Sequence, residues 1–150
     1  MRLTMMSDYA MRVLMYVAQR PERLCTIGEI ASAHGISKAH LMKVTHQLGL
    51  SGWVETVRGR GGGLRLGRPA EQIVVGAVIR QFEPDFDVVE CFSANSGCQL
   101  TGACRLSNVF NSALEQFISH LDQHTLADLL PTLLPNPVYP VRFHHNQGAI

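Results

Sequence analysis

The sequence predicts a mainly α-helical protein with one small β-hairpin, and three observations support this fold class. Two stretches, 6–18 and 106–121, repeat apolar residues at three- and four-residue steps, the period of an amphipathic helix. Between them, two short capped segments separated by Gly35 have the pattern of a helix-turn-helix. β-prone residues on both sides of the glycine run 58–63 predict a hairpin. The predicted architecture is a winged helix-turn-helix plus a long C-terminal dimerisation helix.

The ends of the first three helices follow from local signals. The first helix is predicted to stop before Pro21, because proline cannot continue a helix. The segment 26–29 has the T-x-x-E form of a capping box, in which hydroxyl and carboxylate satisfy unpaired backbone N–H groups, so the second helix starts there. Gly35 fits the left-handed residue that ends it. Ser37 caps a third helix, which runs to about residue 48.

The third helix is the predicted recognition helix of the helix-turn-helix. Its inward side carries Leu41, Val44 and Leu48. Its outward side carries hydrogen-bond donors, which are what contact with DNA requires. These donors are Lys38, His40, Lys43, His46 and Gln47.

The C-terminal half is less regular. We predict a strand start that passes into a short helix over 72–82, and the last helix has the strongest apolar period in the chain. Four segments follow from this pattern: a winged helix-turn-helix DNA-binding domain over 1–82, a cysteine loop over 83–104, a dimerisation helix and following segment over 105–130, and a loose tail over 131–150.

Composition and charge narrow the function classes. The 150 residues are 46% hydrophobic and 17% charged, which suits a compact domain and not a disordered chain. The net charge of +1 hides an asymmetry, because residues 1–70 carry +6 and residues 71–150 carry −5. A basic half indicates a separate polyanion-binding face. No apolar run reaches the roughly 18 residues of a membrane span and no secretory signal is evident, so we expect a cytoplasmic protein.

Three of the four cysteines form a local group, Cys91-x6-Cys98-x5-Cys104, and Cys25 lies far away. A secreted disulfide scaffold would spread its cysteines in pairs, so the group favours thiolate ligands in a reducing cytoplasm. Structural zinc sites usually contain C-x2–4-C pairs. The wider gaps here favour an iron–sulfur cluster, with structural zinc or three unrelated buried thiols as alternatives. A fourth ligand would be Cys25, a carboxylate or an imidazole.

The glycine run and the last helix each have two interpretations. The run 58–63 lacks the Lys-Ser/Thr ending of a phosphate-binding P-loop. As a wing tip its glycines let the backbone approach DNA while its arginines contact phosphates; the alternative is a solvated basic turn.

Little chain remains to cover the last helix, which favours a C2 dimer over core packing. Such a dimer would present two recognition helices about 34 Å apart.

Several segments together resemble one family, over roughly residues 1–130. It is the family of bacterial iron–sulfur winged-helix regulators that include NsrR and IscR. The segments that carry the resemblance are Met1-Arg2-Leu3-Thr4 with Asp8-Tyr9-Ala10, Gly35-Ile36-Ser37 with His40-Leu41-Met42-Lys43-Val44, Val57-Arg58-Gly59-Arg60-Gly61-Gly62-Gly63-Leu64-Arg65-Leu66-Gly67, Ala103-Cys104-Arg105-Leu106 and Thr125-Leu126-Ala127-Asp128-Leu129.

The resemblance implies a cluster and a ligand set. IscR-like members have a histidine three residues after the last cysteine, where this chain has Ser107. NsrR-like members use an aspartate of the first helix from the other subunit, and Asp8 matches that position. The first cysteine gap is slightly longer than usual in the family, and Cys25 is not a family ligand position. The implied ligands of a 4Fe–4S or 2Fe–2S cluster are Cys91, Cys98, Cys104 and the partner subunit's Asp8.

The resemblance therefore implies a homodimeric repressor, not an enzyme, whose cluster senses nitric oxide. Nitrosylation would relieve repression, with the freed Asp8 pairing with Arg12. The alternatives are a regulator of the same fold that responds to cluster supply or redox state, an electron-transfer protein and a structural zinc site. The residues predicted to contact a pseudo-palindromic DNA operator are Ser37, Lys38, His40 and Lys43 in the major groove and Arg58, Arg60 and Arg65 in the wing.

Overall fold

A computed structural model describes residues 2–93, 96–99 and 104–131. In this part of the chain the α-helices and strands are α1 (Met5–Ala18), α2 (Ile27–His34), α3 (Lys38–Leu50), β1 (Val54–Val57), β2 (Gly63–Leu66), α4 (Val75–Phe82) and α5 (Arg105–Asp122). Short 3-10 turns lie at Ala70–Gln72, Glu90–Phe92 and Ala127–Leu129. The predicted fold class, mainly helical with a small hairpin wing, is confirmed.

The starts of α2 and α3 and the end of α2 are those that the sequence predicts, whereas α3 continues past the predicted residue 48 to Leu50. Thr26 Oγ1 accepts a hydrogen bond from the backbone N–H of Glu29 at 3.2 Å. Ser37 Oγ accepts one from the backbone N–H of His40 at 3.3 Å. Gly35 ends α2 at φ 64°, in the left-handed region that glycine enters without a Cβ clash. Each cap satisfies a backbone group that the helix itself leaves unpaired, so these ends are determined locally.

The hydrophobic core is centred on α1. Its stripe includes Ala10, Val13 and Leu14, all with 0% relative exposure. It packs against α2, α3, α4 and β2. The third helix turns its three predicted inward residues to the same core: Leu41, Val44 and Leu48. The helix-turn-helix is therefore one packed unit built around α1.

The hairpin is anchored to the segment that precedes α2. Its strands are antiparallel, with Val54 opposite Leu66. The backbone of Cys25 exchanges two hydrogen bonds with that of Leu64, at 2.9 and 2.7 Å. A Cβ at Gly63 would lie 2.8 Å from the carbonyl oxygen of Cys25, so this approach requires glycine. The wing is thus held at the start of β2, close to the turn that joins its two strands.

The segment over 72–82 contains the predicted strand start and short helix. Val74 forms an isolated antiparallel bridge with Thr125, and α4 begins at the next residue. Leu126 N–H donates to the carbonyl of Ile73 at 2.7 Å, and the Leu126 side chain is fully buried. The chain after α5 therefore folds back and completes the core of the N-terminal half.

The last helix, α5, follows the predicted period, yet none of its residues is buried. Leu106 and Val109 are 60% and 64% exposed. The helix packs against α4, where Arg80 Nη1 lies 2.8 Å from Asp122 Oδ1 and a second, parallel contact completes a bidentate pair. The described residues leave much of the apolar side of α5 uncovered.

The sequence also predicts a loose tail over 131–150 and divisions of the chain at residues 82, 104 and 130. Of the predicted tail over 131–150, only Pro131 is among the described residues. The divisions of the chain at 82, 104 and 130 stay predictions. None of the described helices is long and apolar enough to cross a membrane.

Candidate nucleic-acid interface and metal centre

The exposed face of α3 carries the predicted DNA-contacting side chains. Lys38, His40 and Lys43 are all exposed. The hydroxyl of Ser37, which caps the helix, also lies 3.0 Å from His40 Nδ1. Ser37 therefore holds the start of the helix and one of its donor side chains at the same time. His46 and Gln47 are exposed further along α3.

The three arginines of the wing differ in their surroundings. Arg58 and Arg60 lie in the exposed tip on either side of Gly59, which adopts φ 101°. Arg65 lies on β2, where its Nη2 is 2.9 Å from Oε2 of Glu55, its partner in the strand register. An exposed ion pair of this kind stabilises little but offsets the charge that DNA would meet. Arg58 and Arg60 in the tip thus offer more positive charge to DNA than Arg65, whose charge is offset by Glu55.

Asp8 and Arg12 form an ion pair one turn apart on α1. Arg12 Nε donates to Asp8 Oδ2 at 2.7 Å, and this hydrogen bond raises the pKa of Arg12. Both side chains are about half exposed, 50% for Asp8 and 42% for Arg12. The next residue, Tyr9, places its ring 6.0 Å from the ring of His40. The helix that carries Asp8 therefore contacts the exposed face of α3.

The three cysteines of the loop occupy different local structures. Cys91 lies in the 3-10 turn Glu90–Phe92, and Cys104 is the residue before α5. With Cys98 they are partly buried, and none is in a disulfide. Within the described residues no group of three or more His, Cys, Asp or Glu side chains is arranged to hold a metal ion. The three predicted cysteine ligands are therefore not gathered into one such group in this part of the chain.

The donor chemistry of the cysteine loop nonetheless fits an iron–sulfur cluster. Three cysteines on one partly exposed loop provide soft thiolate ligands, which cluster iron prefers. Ser107, at the position where IscR-like members have a histidine, donates its hydroxyl to the carbonyl of Cys104 at 2.6 Å. Its side chain is thus engaged in the start of α5.

Cys25 belongs to the core and lies apart from the loop. Its side chain has 0% exposure and it packs within the main hydrophobic cluster. Burial raises the pKa of its thiol, which disfavours the thiolate that a metal requires. Of the two roles that the sequence leaves open for Cys25, the structure favours packing.

A hydrogen-bonded network at the start of α1 escaped the sequence analysis. Glu83 Oε1 accepts hydrogen bonds from Thr4 N–H at 2.8 Å, from the Thr4 hydroxyl at 3.1 Å and from the Ser7 hydroxyl. Ser7 is fully buried. Glu83 ends α4 and begins the cysteine loop, so the network ties that loop to the turn of α1 that carries Asp8. In the sequence, the signal for this network is a serine one position before Asp8.

The sequence is similar to those of known transcriptional regulators. Residues 3–132 match the family model Rrf2, described as iron-dependent transcriptional regulator. The HTH-type transcriptional regulator NsrR of Bacillus subtilis is 49% identical over 132 residues, covering 87% of this chain and 90% of that protein. The NsrR of Bacillus licheniformis is 47% identical over the same length, covering 87% and 92%.

Solved structures show the same fold. IscR from T. potens is 26% identical with a TM-score of 0.69, covering 86% of this chain and 85% of that one. CymR, the global cysteine regulator of B. subtilis, is 23% identical with a TM-score of 0.66, covering 86% and 95%. This second likeness concerns the fold alone. The chain belongs to the Rrf2 family of transcriptional regulators.

Proposed function

We propose that the chain is a homodimeric DNA-binding repressor whose iron–sulfur cluster senses nitric oxide, and that nitrosylation relieves repression. The observation that carries this proposal is the combination of a relative named NsrR at 49% identity with the three cysteines of the loop and the exposed Asp8 on α1. In this function, α3 and the wing contact DNA, the cysteine loop detects the signal, and α5 forms the dimer.

DNA contact is assigned to α3 and the wing. Lys38, His40 and Lys43 project from α3, and Ser37 orients its first turn. The tip arginines Arg58 and Arg60 add charge that attracts phosphates irrespective of sequence. Arg65 contributes less, because Glu55 already offsets it.

The cluster is assigned to Cys91, Cys98 and Cys104 with the partner subunit's Asp8. When bound, the cluster supplies iron that reacts with nitric oxide. A carboxylate is a harder and weaker ligand for such iron than a thiolate, which suits a position that must be given up. Asp8 has Arg12 as an alternative partner at 2.7 Å, so it has two states to exchange between.

The residue next to Asp8 contacts the recognition helix α3. Tyr9 follows Asp8 and its ring lies beside that of His40. On the other side, Ser7 is held by Glu83 at the start of the cysteine loop. A change in the group that Asp8 binds would therefore affect the position of α3, the helix that would enter the major groove.

Dimerisation is assigned to α5. Its apolar residues form a groove of about 320 Å³ with Val88, Phe110 and Phe117 among its lining residues. Phe110 is 37% exposed and Val109 is 64% exposed. A second copy of the helix would bury these residues and set the separation of the two recognition helices.

The decisive experiment is anaerobic purification followed by absorption spectroscopy and iron and sulfide analysis. Operator binding is then measured with and without nitric oxide. We expect a coloured protein with stoichiometric iron and sulfide that loses operator affinity on nitrosylation. A colourless protein with one zinc per chain would overturn the cluster assignment. A cluster-bearing protein that binds DNA equally with and without nitric oxide would instead favour a response to cluster supply or redox state.

A further inference from the structure

The exposed face of α3 contains apolar side chains among its donors. Met42 is 60% exposed, and Ala39 is exposed as well. Residues three apart in a helix are neighbours, so the two form one apolar strip. Lys43 follows Met42 directly along the chain. The face that would meet DNA is therefore basic with an apolar strip across it.

Packing among the described residues does not account for Met42. Its neighbour Leu41 is fully buried, and successive helix residues point about 100° apart, so Met42 faces away from the core. Three methionines of α1 pack against the hydrophobic core, but Met42 is not among the residues that do. Those of α1 are Met6, Met11 and Met15. A large apolar side chain exposed on this basic face is available for a contact with the DNA that the face would bind.

The chemistry of the major groove identifies that contact. Base edges there present hydrogen-bond donors and acceptors, together with one apolar group, the C5-methyl of thymine. The thioether of methionine is flexible and polarisable and adapts to small apolar surfaces. Lys38 and Lys43, which flank Met42 in the sequence, supply the phosphate contacts that would hold the helix in the groove.

We propose that Met42 packs against thymine methyl groups in the major groove, so that each operator half-site carries thymine at a fixed position. This inference rests on the proposed DNA-binding function and adds a specificity-determining residue to it. Lysines at phosphates give affinity for any sequence, whereas Met42 distinguishes thymine from bases without the methyl group.

The test replaces thymine by uracil, which removes the methyl group and keeps every hydrogen-bonding atom. A duplex is first selected from a random pool by the full-length protein, and each thymine in it is then exchanged singly. We expect one or two symmetry-related positions at which the exchange weakens binding about fourfold, the effect of one buried methyl group. In Met42→Ala the same exchange is expected to change affinity by less than about 1.5-fold.

The matched control is Leu50→Ala, which also removes an exposed apolar side chain from α3, 76% exposed and about 12 Å further along the helix axis. This variant should keep the fourfold discrimination. A wild-type protein that binds thymine and uracil duplexes equally, or a Met42→Ala variant that discriminates as the wild type does, would overturn the inference while DNA binding stands. Failure to select any duplex over random DNA would overturn the proposed function itself.

Discussion

Residues 5–82 bury most of their apolar side chains within the chain, with Met42 and Leu50 of α3 among the exceptions, whereas the described residues from 83 to 122 do not. The first region supplies α1 and α3, whose inward side chains have exposures at or near zero. Among the described residues from 83 to 122 none is buried, although α5 is as regularly amphipathic as α1. A helix keeps an apolar side only if something covers it. The first region is closed by contacts within the chain, those of Leu126 in the returning segment included, whereas the proposed cluster and second subunit would complete the second.

The largest expected effect separates two adjacent residues of α3. Leu41→Ala removes a fully buried side chain and should lower the free energy of unfolding by about 3–5 kcal/mol. Met42→Ala, one residue on and 60% exposed, should change it by less than about 0.5 kcal/mol. Urea denaturation measures both. Equal losses in the two variants would contradict the assignment of core and surface sides on α3.

The next effect concerns the uncovered side of α5. Val109→Asp places a charge on this side, and in a dimer interface the charge would be desolvated without a partner. We expect the dimer dissociation constant to rise at least 100-fold, about 2.7 kcal/mol, measured by analytical ultracentrifugation. Asn108→Asp adds the same charge one residue away and should leave the dimer intact. A dimeric Val109→Asp protein would place the interface elsewhere.

The hydrogen bond between Ser7 and Glu83 links the two regions, and its loss should have an intermediate effect on the free energy of unfolding. Ser7→Ala removes a buried donor to Glu83, and the lost hydrogen bond should cost about 1–3 kcal/mol of the free energy of unfolding. Ser32→Ala, at an exposed serine of α2, is the control and should change little. Thermal unfolding of both variants checks the expectation. If Ser7→Ala were as stable as the control, the network would not join the regions.

A smaller effect compares two arginines of the wing. Arg60→Ala should lower affinity for all DNA sequences alike and reduce the salt dependence by about one unit of slope. Arg65→Ala should reduce it by less, because Glu55 already pairs with Arg65 at 2.9 Å. Binding isotherms over a range of salt concentrations give both slopes. A slope unchanged in Arg60→Ala would remove this residue from the interface.

The smallest effect lies in the segment that returns after α5. Hydrogen bonds from the backbone N–H and hydroxyl of Thr125, at 2.7 and 2.9 Å, lower the pKa of Asp128 below its ordinary value of 3.8. A carboxylate with a lowered pKa stabilises the fold above its unfolded pKa and loses that effect as pH falls through its folded pKa. Asp128→Asn should therefore be less stable than the wild type at pH 7, and the difference should shrink as the pH falls through the lowered folded pKa of Asp128. A pH-independent difference would exclude this origin.

Local signals explain why so much of the N-terminal half could be predicted. Thr26, Gly35 and Ser37 act on backbone groups within four residues, and each lies in the structure where its pattern indicates. The inward residues of α1 and α3 likewise follow from helical period alone. Such features require no knowledge of distant parts of the chain.

Long-range contacts explain what could not be predicted. Leu126 is buried only because its segment returns to Ile73, and the acceptor for Ser7 is 76 residues away. The cysteine spacing indicates a loop and its donor chemistry, but the convergence of Cys91, Cys98 and Cys104 depends on what the loop encloses. Period and capping carry no information about such partners.

The burial of Cys25 divides the thiols of this protein into two kinetic classes. In the iron-free chain a thiol reagent reaches the three partly exposed cysteines of the loop directly. Cys25, with 0% exposure and a raised pKa, reacts only when the core opens. The modification rate of this fourth thiol therefore serves as an internal measure of how often the winged helix unfolds, recorded independently of the state of the loop.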